Sequence, residues 1–276
     1  MLRLGAIELD CPAVMGILNI TPDSFSDGGQ FAARSAALRH AEQMAAAGAA
    51  IIDVGGESTR PGARAVSEQE ETDRVVPVIE GIVDAIEVPV SIDTSKPGVM
   101  RAAVSAGAAM INDVRALELD GALEAAVELQ RPVCLMHMQG QPGTMQQRPQ
   151  YDDVVAEVTQ FLRDRVAICS QAGLGNDLIV IDPGFGFGKT VADNIELLAN
   201  LRQLLDIGLP VLIGVSRKST LGAITGRDVD GRLPASVTAA VMAVERGAQI
   251  VRAHDVAETV DALRVARAVI DSDKSE

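Results

Sequence analysis

The feature that most constrains this chain is an eightfold alternation. Short runs rich in Val, Ile, Leu and Met stand at Val14–Ile20, Ile51–Gly55, Pro89–Asp93, Met110–Val114, Pro132–Met138, Leu178–Asp182, Pro210–Ser216 and Gln249–His254. Between most of them lies an Ala-, Leu- or Glu-rich stretch with apolar residues at helical spacing, as in Arg34–Ala47, Glu68–Ala85, Pro97–Ala106 and Asp152–Gln171. Runs that are apolar throughout suit strands buried on both faces. Strands alternating with helices pair in parallel, because a crossover helix returns the chain to the same end of the sheet. Eight such units in about 250 residues predict an α/β fold closed into a (β/α)8 barrel, the TIM barrel. A doubly wound sheet is the alternative, but it rarely needs eight units and usually carries a nucleotide fingerprint. Residues 1–12 alternate weakly and predict a short N-terminal hairpin plugging one end. No linker, low-complexity tract or charge block divides the 276 residues, so the expectation is a single domain over 1–276.

The stretch Leu178–Thr190 shows the repeating unit in full. Apolar residues end at a carboxylate, Asp182; Pro183 and three glycines then forbid regular structure, and helical spacing resumes at Ile195, Leu197, Leu198 and Leu201. The glycines suggest two nucleotide-binding templates, and both fail. A P-loop ending at Gly188 needs glycine where Pro183 stands, and a dinucleotide fingerprint starting at Gly184 needs glycine where Lys189 stands. A tight turn is the remaining local reading.

Charge and composition exclude further classes. With 24 Lys and Arg against 38 Asp and Glu the net charge is −14, and Trp is absent with Tyr151 the single tyrosine. A nucleic-acid binder needs a basic face and stacking platforms, so none is expected as a partner. Cys11, Cys134 and Cys169 form no CxxC pair and read as reduced, inert thiols. Met1–Asp10 lacks an apolar signal core and no run approaches the roughly 18 residues of a membrane span, so the expected location is cytoplasmic, with no membrane partner.

In a barrel of this kind the site is built at the C-terminal strand ends. Those ends carry Asn19, Asp53 with Glu57 beyond it, Asp93, Asn112 with Asp113, His137, Asp182, Ser216 with Arg217 and Lys218, and Arg252 with His254. Strands meeting water account for any one of these. All eight together point to a site, because charged groups at inner positions cost energy unless paired or liganded. Asp93, Asn112 and Asp182 offer carboxylates and an amide that suit a flat heterocycle edge with several N–H donors and a carbonyl, such as a pterin or guanine-like ring. Lys218 suits the carbonyl or a ring nitrogen. Arg60, Arg252 and His254, with Asn19 and Thr59, make an anion pocket fit for phosphates. Two connections, Thr21–Ala33 and Glu57–Ser67, are long and rich in Gly, Pro and Ser, as active-site lids often are. HExxH, clustered Cys and His, and a nucleophile elbow are all missing, so metal hydrolysis and Ser–His–Asp acyl transfer lack support. His40 reads as a helix-surface residue and His137 as structural in preference to ligand-binding; Arg217 stays open between substrate and subunit contact.

Eight motifs in order, GILNITPDSFSDGG (16–29), DVGGESTRPGA (53–63), SIDTSKPGVM (91–100), INDVRAL (111–117), LMHMQGQPGTMQ (135–146), IDPGFGFGKT (181–190), GVSRKSTLG (214–222) and VRAHDV (251–256), resemble those of the dihydropteroate synthases over residues 14 to 260. The resemblance implies a dimeric barrel enzyme of folate synthesis. It would join 4-aminobenzoate to 6-hydroxymethyl-7,8-dihydropterin diphosphate, use Mg2+ and be inhibited by sulfonamides. It implies Asp93, Asn112, Val114, Met136, Asp182 and Lys218 at the pterin, with Phe187 and Gly214 as further substrate-binding residues. Asn19, Thr59, Arg60, Arg252 and His254 would hold diphosphate, with Asn19 at the metal. Phe25, Pro61, Ser216 and Lys218 would hold aminobenzoate. Asp93, Asp182, Lys218 and Arg252 are the implied catalytic set. Ala253, where a larger aliphatic is common, leaves its functional neighbours intact. Two other readings stand beside this one: the pterin-binding barrel of a folate-dependent methyltransferase, which would not need the Ser58–Gly62 and Ser216–Ser219 motifs, and a non-catalytic scaffold.

Overall fold

In the computed structural model, residues 1–20, 30–58, 64–140, 143–146 and 149–273 are described. The chain opens with an antiparallel hairpin, β1 (Leu2–Leu4) and β2 (Ile7–Leu9), as its weak alternation predicts. Eight parallel strands follow: β3 (Ala13–Asn19), β4 (Ile51–Gly55), β5 (Val90–Asp93), β6 (Met110–Asp113), β7 (Val133–Met136), β8 (Ile179–Asp182), β9 (Leu212–Ile213) and β10 (Ile250–Ala253). The pairing order is β8-β7-β6-β5-β4-β3-β10-β9, so β3 lies between β4 and β10. The ring closes between β8 and β9 through the Ile181–Val211 bridge and the Ile181 N–H to Pro210 carbonyl bond of 2.9 Å. This is the (β/α)8 barrel.

Helices α1 (Gln30–Ala46), α2 (Glu68–Ala85), α3 (Pro97–Ser105), α4 (Ala122–Leu129), α5 (Val154–Gln171), α6 (Val191–Ala199), α7 (Ser219–Thr225), α8 (Leu233–Glu245) and α9 (Val256–Asp273) cover the outside. Several begin where local chemistry tells them to. Ser67 caps α2, Asp153 caps α5, and Thr190 with Asp193 forms a capping box at α6, each satisfying backbone N–H groups left free at a helix start.

Strand side chains alternate between faces, and the two faces form two separate cores. The outward set, which includes Val14, Ile52, Val54, Ile92, Ile111, Leu135, Ile181, Ile213 and Val251, packs with the helices. The inward set is Ala13, Met15, Ile51, Met110, Cys134, Val180, Leu212 and Ile250, and hairpin residues Leu4, Ile7 and Leu9 join it. The hairpin therefore plugs the barrel at the N-terminal ends of its strands.

Two strands are shorter than the apolar runs suggest. Pro210–Ser216 yields only Leu212–Ile213, because Pro210 has no N–H and the Val211 N–H is taken by the Gln249 side chain at 2.8 Å. Pro132–Met138 ends as a strand at Met136, although His137 N–H still reaches the Asp182 carbonyl at 2.9 Å.

Candidate active site

The period of two that builds the inner core also builds the site. Continuing each inward series past its apolar residues gives Asn19 on β3, Asp53 and Gly55 on β4, Ser91 and Asp93 on β5, Asn112 then Val114 from β6, Met136 on β7, Asp182 on β8, Gly214 and Ser216 after β9, and Arg252 then His254 from β10. Register places Gly55 beside Asp93, Asp93 beside Asn112, and Met136 beside Asp182. Asp113, one residue off this series, points the other way. It accepts from Ser95 and from the backbone of Arg115 and Leu117, so it shapes the loop after β6.

At the centre Arg252 forks between two carboxylates. Its Nε donates to Asp53 Oδ2 at 2.6 Å and its Nη2 to Asp93 Oδ2 at 2.7 Å, while Asn112 Nδ2 also donates to Asp53 Oδ2 at 3.0 Å. Burial opposes charge on the guanidinium, but Asp53 and Asp93 outweigh it and hold Arg252 protonated. Burial raises the Asp93 carboxyl well above the usual range even against Arg252. Asp53 does not belong to the substrate set expected from the sequence, yet it orients two members of that set. The signal for it is its place on the inward series, two residues before Gly55.

Asp182 is buried at the end of β8 and accepts from the Gly184 N–H at 2.7 Å; burial pushes it up to about 6 against that bond. Lys218 lies over the Phe187 ring, 3.9 Å from its centre, and burial followed by Arg252 brings it down to about 8. Ser216 accepts the His254 backbone N–H at 3.2 Å, and its hydroxyl lies 3.0 Å from His254 Nδ1. Burial, then Arg252, lowers His254 to about 4, so the ring is neutral near pH 7. With the Ser216 hydrogen directed to Nδ1, Nε2 carries the ring proton. Val114 and Met136 line a cavity of about 290 Å3 with Leu119, Met138 and Phe161, and His254 lines another of about 390 Å3 with Arg217 and His40.

Other strand-end residues serve the frame. Arg217 is ion-paired to Asp255 and bonded through its backbone to Ser236. Glu57 holds Lys96 at 2.6 Å and accepts the Val66 N–H at 3.0 Å, tying together the two stems of the loop between β4 and α2. His137 is buried against Lys189. His40 is exposed on α1. The three cysteines are free thiols. Phe25, Thr59, Arg60 and Pro61 lie outside the described residues.

Asn19 is exposed at the tip of β3 beside Gly55, across from Asp93. Among the described residues no three His, Cys, Asp or Glu side chains are grouped as a metal site. The Asn19 amide oxygen is a hard donor of the kind Mg2+ takes beside its waters and substrate phosphates. Among the described residues no helix is long and apolar enough to cross a membrane.

Comparison with known proteins agrees with this arrangement. Residues 15–254 match the family described as pterin binding enzyme. The chain is 51% identical over 271 residues to the dihydropteroate synthase of Escherichia coli K12, covering 98% of this chain and 96% of that one. The crystal structure of Yersinia pestis dihydropteroate synthase with a sulfonamide drug complex superposes with a TM-score of 0.93 at 50% identity, covering 98% and 99% of the two chains. The Xanthomonas albilineans dihydropteroate synthase in complex with 7,8-dihydropteroate superposes with a TM-score of 0.88 at 50% identity, covering 97% and 98%. On the family match and these near-full-length identities, the chain belongs to the pterin binding enzyme family.

Proposed function

We propose that this chain catalyses the dihydropteroate synthase reaction, joining 4-aminobenzoate to 6-hydroxymethyl-7,8-dihydropterin diphosphate to give 7,8-dihydropteroate and diphosphate. The observation that carries the reading is the inward set itself: two buried carboxylates and an amide beside an arginine held ready for an anion. The near-full-length likeness to dihydropteroate synthases supports it.

In this reading Asp93, Asn112 and Asp182 take the N–H edge of the dihydropterin. Because Asn112 spends one N–H on Asp53, its Oδ1 is turned to the ligand side. Val114, Met136, Gly214 and Phe187 wall the ring, and Lys218, close to neutrality, donates to its carbonyl or ring nitrogen. Arg252 uses two of its five N–H groups on carboxylates and keeps the rest for diphosphate, joined by neutral His254 through Nε2–H and by Thr59 and Arg60.

These donors and the two arginine charges lower the cost of breaking the bond between the exocyclic methylene and oxygen, and the electron pair leaves with diphosphate. The methylene left behind is electron-poor, and Asp93 and Asp182 stabilise positive charge spread into the ring. The amine lone pair of 4-aminobenzoate, held by Phe25, Pro61, Ser216 and Lys218, then forms the carbon–nitrogen bond, and the proton the nitrogen sheds goes to the departed diphosphate or to water. Asn19 would hold Mg2+, which when bound supplies further charge neutralisation at the phosphates. Sulfonamides, sharing the aminobenzene shape, would compete at the same place. One barrel domain over 1–276, a homodimer and a cytoplasmic location complete the proposal.

A diphosphate-release assay run with and without 4-aminobenzoate tests it. Release that requires both substrates is expected; release indifferent to 4-aminobenzoate, or none, would remove the assignment.

A further inference from the structure

Lys189 stands where the glycine-rich stretch invites a phosphate-binding lysine, yet its side chain turns inward. It is 2% exposed, and its Nζ lies 2.9 Å from His137 Nδ1, 3.0 Å from the Gly184 carbonyl and 3.0 Å from the Phe187 carbonyl. With the His137 carbonyl at 3.4 Å these make four acceptors around one Nζ, so no donor is left for an anion. Burial brings Lys189 down to about 7, and burial followed by Lys189 lowers His137 to about 3, so a neutral ring sits against Nζ. The ring is itself held edge-on to Phe161, 4.9 Å between centres.

What Lys189 closes is the loop from Gly184 to Gly188. The loop packs so tightly on the segment after β7 that a Cβ at Gly184 would overlap the His137 carbonyl and one at Gly188 the Gln139 carbonyl; both glycines also have positive φ. The carbonyls of Gly186 and Gly188 are taken by Gln146 at 3.0 Å and Tyr151 at 2.8 Å. Two site features hang from this loop. The Gly184 N–H binds Asp182 Oδ1, leaving Oδ2 for a ligand, and the Phe187 ring lies against Lys218.

Resting on the functional reading above, we propose that Lys189 is a positioning residue for the dihydropterin subsite. Its Nζ ties Gly184 and Phe187 to His137, and so fixes both the free oxygen of Asp182 and the ring beneath Lys218. Neither substrate touches it.

The test uses the full chain and three variants. Lys189→Met removes the donors, His137→Leu removes one acceptor, and His137→Asn keeps an acceptor at the δ position. Calorimetry measures binding of 6-hydroxymethyl-7,8-dihydropterin, and kinetics measure KM for 4-aminobenzoate at saturating diphosphorylated pterin. Lys189→Met should weaken the pterin by about tenfold or more and His137→Leu by about threefold, because hydrogen bonds holding the subsite are lost. His137→Asn should stay near wild type, and KM for 4-aminobenzoate, which shares Lys218 with the pterin, should rise by a smaller factor than the pterin Kd in each variant. Unchanged pterin binding in folded Lys189→Met, a parallel rise in KM for 4-aminobenzoate, or equal loss in both His137 variants would overturn the proposal. Should Lys189→Met fail to fold, the two His137 variants decide by the same criterion. A wild-type chain that does not bind the dihydropterin would instead bring down the functional reading on which this role rests.

Discussion

The two ends of the barrel interior are made by the same strands, on the same face, with opposite chemistry. Toward the N-terminal ends the inward residues are Met15, Ile51, Met110, Cys134, Val180, Leu212 and Ile250, sealed by Leu4, Ile7 and Leu9. Toward the C-terminal ends the same series continue as Asp53, Asp93, Asn112, Asp182 and Arg252. The dry end gives the polar end a rigid floor and a low local dielectric. There, charges interact strongly, and the pKa values of Asp182 and Lys218 move toward neutrality. Stability and chemistry are thus stacked along one axis, and variants at the two ends should separate them.

The largest effect is expected at Arg252→Ala, which leaves Asp53 and Asp93 buried without their shared cation. Breaking such a pair costs about 3–5 kcal/mol, so both denaturant stability and diphosphate affinity should collapse together. Adding Asp53→Asn should restore part of the stability and none of the affinity; full recovery of both would show that Arg252 does not read phosphates. At the other end, Met15→Ala should cost about 2–5 kcal/mol of stability by opening a cavity. Its kcat/KM should stay unchanged in the folded fraction, and a drop there would blur the division between the two ends.

Asp182→Asn should reverse that pattern. Replacing an acceptor by a partial donor loses a charged hydrogen bond, about 1.5–3 kcal/mol of pterin affinity, while the melting temperature holds or rises. Unchanged pterin affinity by calorimetry would take Asp182 out of the site. The smallest effect is a slope with pH. The folded carboxyl of Asp182 titrates at about 6 against an ordinary 3.8, so the folded state binds the extra proton between these values. Its contribution is therefore complete below about pH 4 and is lost as pH rises to about 6, at no more than roughly 1.4 kcal/mol per pH unit. The difference in stability between wild type and Asp182→Asn, followed by denaturation across that range, should fall accordingly; a flat difference would mean the site is wetter than its burial implies.

Much of this arrangement is legible in the order of residues along the chain. The strand–helix alternation predicts the barrel, the weak alternation of residues 1–12 predicts the plug, and the strand ends name Asp93, Asn112, Asp182 and Arg252. Departures gather where backbone partners decide, as at Pro210–Ser216, where the Gln249 side chain takes a strand N–H. Asp113 and Asp53 show the finer limit. Both are carboxylates at strand ends, and only the parity of each strand, anchored by the inward core, turns one to the loop and the other to the site.

The sequence by itself determined the kind of fold and the inventory of the rim, because hydrophobic period and chain order are local properties written along one strand at a time. Tertiary structure alone decided which groups share a proton or a charge. Asp53 meets Arg252 across 199 residues and Asn112 across 59, and Lys189 meets His137 across 52. Barrel closure brings β10 beside β3, and the glycine loop folds onto the segment after β7; both are packing events between distant segments. Coulomb and hydrogen-bond energies depend on those distances through space, so residue types alone do not specify which lysine turns in against His137 and which lies over Phe187.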